Sequence, residues 1–97
     1  MATKTKFPKV NFKDTIPSAG QCYLFHTVLG IWLGRVVGVG ATHATLDQCS
    51  WIADQGRMGV SVRDGNYSEA EFVGDGVMVP MDAIIVPWRH PLPTGDK

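Results

Sequence analysis

Three residues in the middle of the chain have the types that a nucleophilic site needs: His43, Asp47 and Cys49. A thiol serves as nucleophile when an imidazole stands within hydrogen-bond reach and a third group orients that imidazole. The segment reads as a strand, however, and alternate strand residues lie about 7 Å apart on one face. Without a sharp bend, His43 does not reach Cys49. No catalytic residue is assigned on this spacing, and the chain reads as a non-enzyme.

The other metal-ligating types are scattered. His26, His43 and His90 have no ligand spacing, and Cys22 and Cys49 do not form a CxxC pair. A structural zinc site takes four Cys or His ligands in characteristic pairs. No metal and no cofactor is therefore expected, and both cysteines read as small buried hydrophobes. Gly38-Val39-Gly40 lacks the third glycine and following helix of a dinucleotide fingerprint. It reads as a bend.

The richest segment is Trp51-Ile52-Ala53-Asp54-Gln55-Gly56-Arg57. As a ligand site, it would bind an anion, with Arg57 as fork donor, Trp51 as stacking platform, and Asp54 and Arg35 nearby. As a loop clamp, Asp54 would cap a turn, Arg57 would pair with Asp54, and Trp51 would fill the core. The clamp is the preferred reading. A second cluster, Val86-Pro87-Trp88-Arg89-His90-Pro91-Leu92-Pro93, is stiffened by three prolines. Trp88 and Arg89 are its candidate protein-interaction residues; the alternative is a strand exit packed on its own domain.

The elements that must position these residues follow a period of two. Cys22 to Val28 is rich in aromatic and β-branched residues and predicts a strand. Leu29-Gly30 turns the chain. Ile31, Leu33, Val37 and Val39 then alternate with Trp32 and Val36, and the glycines at 34, 38 and 40 suit a strongly bent strand. His43 to Asp47 returns antiparallel. Glu69 to Val73 and Val77 to Val79 predict a hairpin across Gly74-Asp75-Gly76, and Ala83 to Val86 predicts a last short strand. Residues 58–62 fit a single helical turn or a strand, but a short irregular segment is the preferred reading, because Gly59, Val60 and Val62 are poor helix formers. The expected core comprises Leu33, Val37, Trp51, Ile52, Ile84 and Val86. The fold class is mostly β: a small SH3-like barrel or roll of five to six short strands with an extended N-terminal arm.

At 97 residues, 44% hydrophobic and 19% charged, the chain is one ordinary domain. Nine basic residues balance nine acidic ones, which excludes a uniformly basic nucleic-acid coat. No apolar run approaches the roughly 20 residues of a membrane span, and the first residues do not resemble a signal peptide. Neutrality holds only in total. Lys4, Lys6, Lys9 and Lys13 fall in the first thirteen residues without an acid among them. Phe7, Val10, Phe12 and Ile16 lie between and beyond the lysines, and Pro8 and Pro17 oppose helix. Residues 1–18 therefore read as an extended basic arm, residues 19–93 as the barrel domain and residues 94–97 as a polar tail. The eight lysine and apolar positions of the arm are candidate protein-interaction residues.

The stretch Leu46-Asp47-Gln48-Cys49-Ser50-Trp51-Ile52-Ala53-Asp54-Gln55-Gly56-Arg57, with Gly34-Arg35-Val36-Val37 before it and Ala83-Ile84-Ile85-Val86 after it, resembles a small domain family of bacteria and their viruses. Trp-Ile-Ala-Asp-x-Gly-Arg is the most specific part. The likeness covers residues 22–90 and brings no activity with it. It implies a bacteriophage or prophage origin. An arm attached to a compact β body then suggests a virion structural protein, a capsid cement protein or small neck component that clamps neighbouring subunits. Its partners would be phage structural proteins, the major capsid protein first among them, with many copies in an assembly built in the host cytoplasm. No membrane partner is expected, and the acidic body argues against nucleic acid. The rival expectation is a phage-encoded module that sequesters a small molecule or nucleotide, with Arg57, Arg35 and Trp51 in its pocket.

Overall fold

The computed structural model describes residues 17–97. Six strands and one short helix follow in order: β1 (Cys22–Thr27), β2 (Gly30–Val39), β3 (His43–Asp54), α1 (Met58–Asp64), β4 (Glu69–Gly74), β5 (Val77–Pro80) and β6 (Ile84–Pro87). All pair antiparallel in one sheet of order β4-β3-β2-β1-β6, with β5 also on β3. The class is the mostly β roll that period-two patterning predicts. The sheet is open: among the described residues no ladder joins β6 to β4 or β5. Its curl nevertheless brings Cα atoms of β1 and β5 within 8 Å.

β4 and β5 do not form the expected hairpin with each other. β3 is twelve residues long, and its free edge accepts both. β4 pairs from Asp54 back to Cys49, and β5 continues from Leu46 back to His43. Gly74-Asp75-Gly76 therefore makes a jog, not a reversal. Opposite it Gln48 has φ 50°, and its N–H donates to Asp75 Oδ1 at 3.0 Å. The Gly76 N–H donates to the Leu46 carbonyl at 2.9 Å.

Residues 58–64 are a helix, against the irregular reading. Gly65, left-handed at φ 74°, ends it, and its N–H donates to the Ser61 carbonyl at 2.8 Å. Ser61 faces inward and is buried. Poor propensity is overridden by this packing and by the stop signal, since tertiary context outweighs a few tenths of a kcal/mol per residue.

The sheet buries apolar side chains on both faces. Phe25, Val36, Ala44, Leu46, Cys49 and Val79 form one cluster inside the curl. Leu24, Leu33, Ile52, Ala70 and Trp88 form the other, with Tyr67 and Leu92 packed against it. Leu33 and Ile52 are core as expected. Trp51, Val37 and Ile84 are not, at 37%, 44% and 65% exposed, and Val86 is half-buried. Each departure is one of phase. The β2 register slips between Val36 and Gly38, so Val37 is the extra residue of a bulge. Trp51 points away from Ile52, and the side chains that reach the inner cluster are Ala83, just before β6, and Ile85 within it. A one-residue shift sends every side chain of a strand to the opposite face.

The end of the chain covers the outer edge of β4. Lys97 and Ala70 exchange backbone hydrogen bonds at 2.8 and 3.0 Å, and Asp96 Oδ1 accepts the Phe72 N–H at 2.8 Å. This occupies donors and acceptors that would otherwise template edge-to-edge pairing.

Candidate functional site

The structure does not gather Trp51, Asp54, Arg57 and Arg35 into one pocket. Arg35 stands in register with Cys22 on β1 and Asp47 on β3. Trp51 stands opposite Trp32, four residues further along β3 and about 13 Å away by strand rise. Asp54 Oδ1 accepts the Gly56 N–H at 3.0 Å, so the turn is capped as the clamp requires. The expected Asp54–Arg57 ion pair is not made. The carboxylate turns to its own loop, and Arg57 begins α1 with its carbonyl on the Ser61 N–H at 2.9 Å. Among the described residues the ion pair is Arg63–Asp64, at 3.0 Å and exposed.

Arg57 instead lines a pocket of about 250 Å³ with Gln55, Ser61, Asn66 and Tyr67. Gln55 Nε2 and Ser61 Oγ are buried and have no hydrogen-bond partner among the described residues.

His43, Asp47 and Cys49 also stay apart. His43 Nδ1 is 2.9 Å from Thr42 Oγ1 at the exposed start of β3. Cys49 lies past the Gln48 distortion, inside the core, and burial pushes its thiol up to about 12. A thiol held protonated is a packing residue rather than a nucleophile. Burial also raises the half-buried Cys22, and the Arg35 guanidinium beside it partly opposes that shift. Among the described residues, no three His, Cys, Asp or Glu side chains converge as a metal site would require.

In the C-terminal cluster, Trp88 is 3% exposed and belongs to the outer-face core. Its N–H extends the β1 ladder by donating to the Cys22 carbonyl at 2.9 Å. Trp88 is therefore corrected from a docking side chain to a structural one. Arg89 remains exposed beside His90. Lys4, Lys6, Phe7, Lys9, Val10, Phe12, Lys13 and Ile16 lie outside the described residues.

The feature that stands out was not singled out from sequence: the tip of the β1–β2 hairpin. Thr27 pairs with Gly30, leaving a two-residue turn of Val28 and Leu29. Two-residue turns favour Asn-Gly, Asp-Gly or Gly at the central positions. Here neither central residue has positive φ; Gly30, at φ 140°, takes the strain. Thr27 Oγ1 donates to the Gly30 carbonyl at 2.8 Å and accepts the Leu29 N–H at 3.2 Å. The turn is thus closed by Thr27 and Gly30, and the side chains of Val28 and Leu29 do nothing for it. They are 100% and 88% exposed.

Beside the tip, Met78 on β5 is 64% exposed. Val28, Leu29, Trp32, Met78 and Pro80 wall an open groove of about 370 Å³. Among the described residues, Asp82 is the one charged group in that wall. The Trp51 indole lies over Gly30, next to the tip. The sequence signal was available: Val-Leu at a turn position is poor turn chemistry. The β-branched Val28 also fits the end of the preceding strand, which masks that signal.

The chain matches no protein-family model, no curated protein and no solved structure.

Proposed function

We propose that this protein is a bacteriophage virion structural protein of the capsid-cement kind, whose body docks through the β1–β2 tip and whose basic N-terminal arm clamps neighbouring subunits. The observation that carries the reading is the pair Val28-Leu29. Fully exposed branched side chains at a tight turn cost solubility and contribute nothing to the turn; contiguous exposed apolar surface of this kind marks interaction sites. The groove is apolar and shallow, suited to a protein side chain rather than to a reaction. The phage assignment within this reading rests on the Trp51-to-Arg57 resemblance. An arm would add contact area across subunit boundaries to the small footprint of the body, and high copy number would add avidity.

Quantitative mass spectrometry of purified particles tests the reading. A cement protein is present in a fixed, high ratio to the major capsid protein. Its absence from particles, with abundant protein in the lysate, would overturn the proposal.

The second reading, a sequestering module for a small anion or nucleotide, draws on the pocket that Arg57 lines. Thermal melts with phosphate, nucleotides and cyclic nucleotides address it. An anion-dependent rise in melting temperature that Arg57→Ala abolishes would favour this reading over the first. No shift with any of them would remove it.

A further inference from the structure

Among the described residues none fills the tip groove, and the same chain carries a segment of matching chemistry. We propose that residues 1–16 of one copy dock in the β1–β2 tip groove of a second copy, with Phe7 and Phe12 as the apolar anchors. This rests on the reading of the protein as a multi-copy assembly component, and names the surface that receives the arm.

Three observations support it. The first is shape and polarity. Val28, Leu29 and Met78 are exposed apolar side chains around one groove, floored by Trp32. Phenylalanine carries 150–250 Å² of buriable surface on few rotatable bonds, which suits such a seat.

The second is charge. The wall of the groove is acidic through Asp82, and residues 17–97 carry five basic and eight acidic groups. The arm carries four lysines before its first acid, Asp14. Copies of a near-neutral chain thus attract arm to body instead of repelling body from body.

The third is length. The chain joins the fold where the Gly20 N–H donates to the Val36 carbonyl at 2.7 Å. Val36 is seven residues from Leu29 along β2, about 23 Å from the tip by strand rise. Sixteen extended residues span about 53 Å. The arm of one copy therefore reaches well beyond its own sheet, and each copy offers one arm and one seat.

Full-length variants test this by sedimentation over a concentration series. Leu29→Asp/Met78→Asp removes the seat, and Phe7→Ser/Phe12→Ser removes the anchors. All four positions are exposed or lie outside the described fold, and near-UV circular dichroism checks that each variant is folded. Wild type is expected to self-associate, and each variant alone to associate more than about tenfold more weakly. An equimolar mixture of the two variants is expected to regain association, because it still holds one intact arm and one intact seat. A mixture that stays monomeric, or an anchor variant that associates like wild type, overturns the inference. Docking of the arm in its own groove would appear as a monomeric wild type and overturns it equally. High copy number in particles alongside a monomeric mixture sinks this inference alone. Absence from particles alongside a complementing mixture sinks the virion reading alone.

Discussion

His90 packs directly onto Gly65. A Cβ at that glycine would lie 2.6 Å from the His90 Cγ, closer than real side chains approach. The His90 Nε2–H donates to the Val62 carbonyl at 2.7 Å, and the ring meets Trp88 edge-on at 5.1 Å between centroids. One histidine thus closes the end of α1 and ties it to the segment after β6. Gly65→Ala must both hold a left-handed φ and displace the imidazole, so it is expected to cost about 2–3 kcal/mol. His90→Ala is expected to cost about 1–2 kcal/mol through the lost bond and aromatic contact. Urea midpoints at constant slope check both values.

The inner cluster and the exposed position Ile84 on β6 give a second, comparative test. Leu46 is fully buried in the inner cluster, and Leu46→Ala is expected to cost about 2–5 kcal/mol. Ile84 is 65% exposed, and Ile84→Ala is expected to cost less than about 1 kcal/mol. Equal losses at the two positions would contradict the observed β6 phase.

Alkaline stability gives a third. The Cys49 thiol is raised in the fold from 9.0 to about 12 by burial. Between those values the unfolded chain releases this proton and the folded chain keeps it, so stability falls as pH rises. The contribution is fully present below pH 9 and is lost on the way to pH 12. Cys49→Ala is expected to flatten this limb of the stability–pH curve while Cys22→Ala flattens it less, as followed by denaturant titration at stepped pH. Unchanged slopes in Cys49→Ala would mean the thiol is not sealed.

Period-two patterning predicted β1 and β2 almost to the residue, because each is a hairpin arm with alternate side chains committed to different clusters. It missed three things for physical reasons. The 69–73 and 77–79 strands read as a hairpin because a Gly-Asp-Gly step between short strands usually reverses the chain. Only the twelve-residue reach of β3 lets them run end to end. Residues 58–62 read as irregular because the helix over Met58–Asp64 depends on packing at Gly65, His90 and the buried Ser61 more than on the propensity of its own residues. Trp51 read as core because aromatic residues usually are, yet the β2 bulges and the Trp32 register place it on the half-exposed side. Of the candidate site, the Asp54 turn cap was legible. The tip groove was not, since Met78 and Pro80 join Val28 and Leu29 only once β5 lies along β3.

The central claim is that the exposed β1–β2 tip is the surface by which this body enters an assembly. Its most direct test is competitive loading. Isotopically labelled wild type and unlabelled Leu29→Asp/Met78→Asp are offered together to particles that lack the protein, and the bound ratio is read by mass spectrometry. The account predicts that wild type outcompetes the variant by more than about tenfold, since two apolar side chains worth about 1.5–3 kcal/mol each when buried have been replaced by charges. Equal loading of the two folded proteins would contradict it.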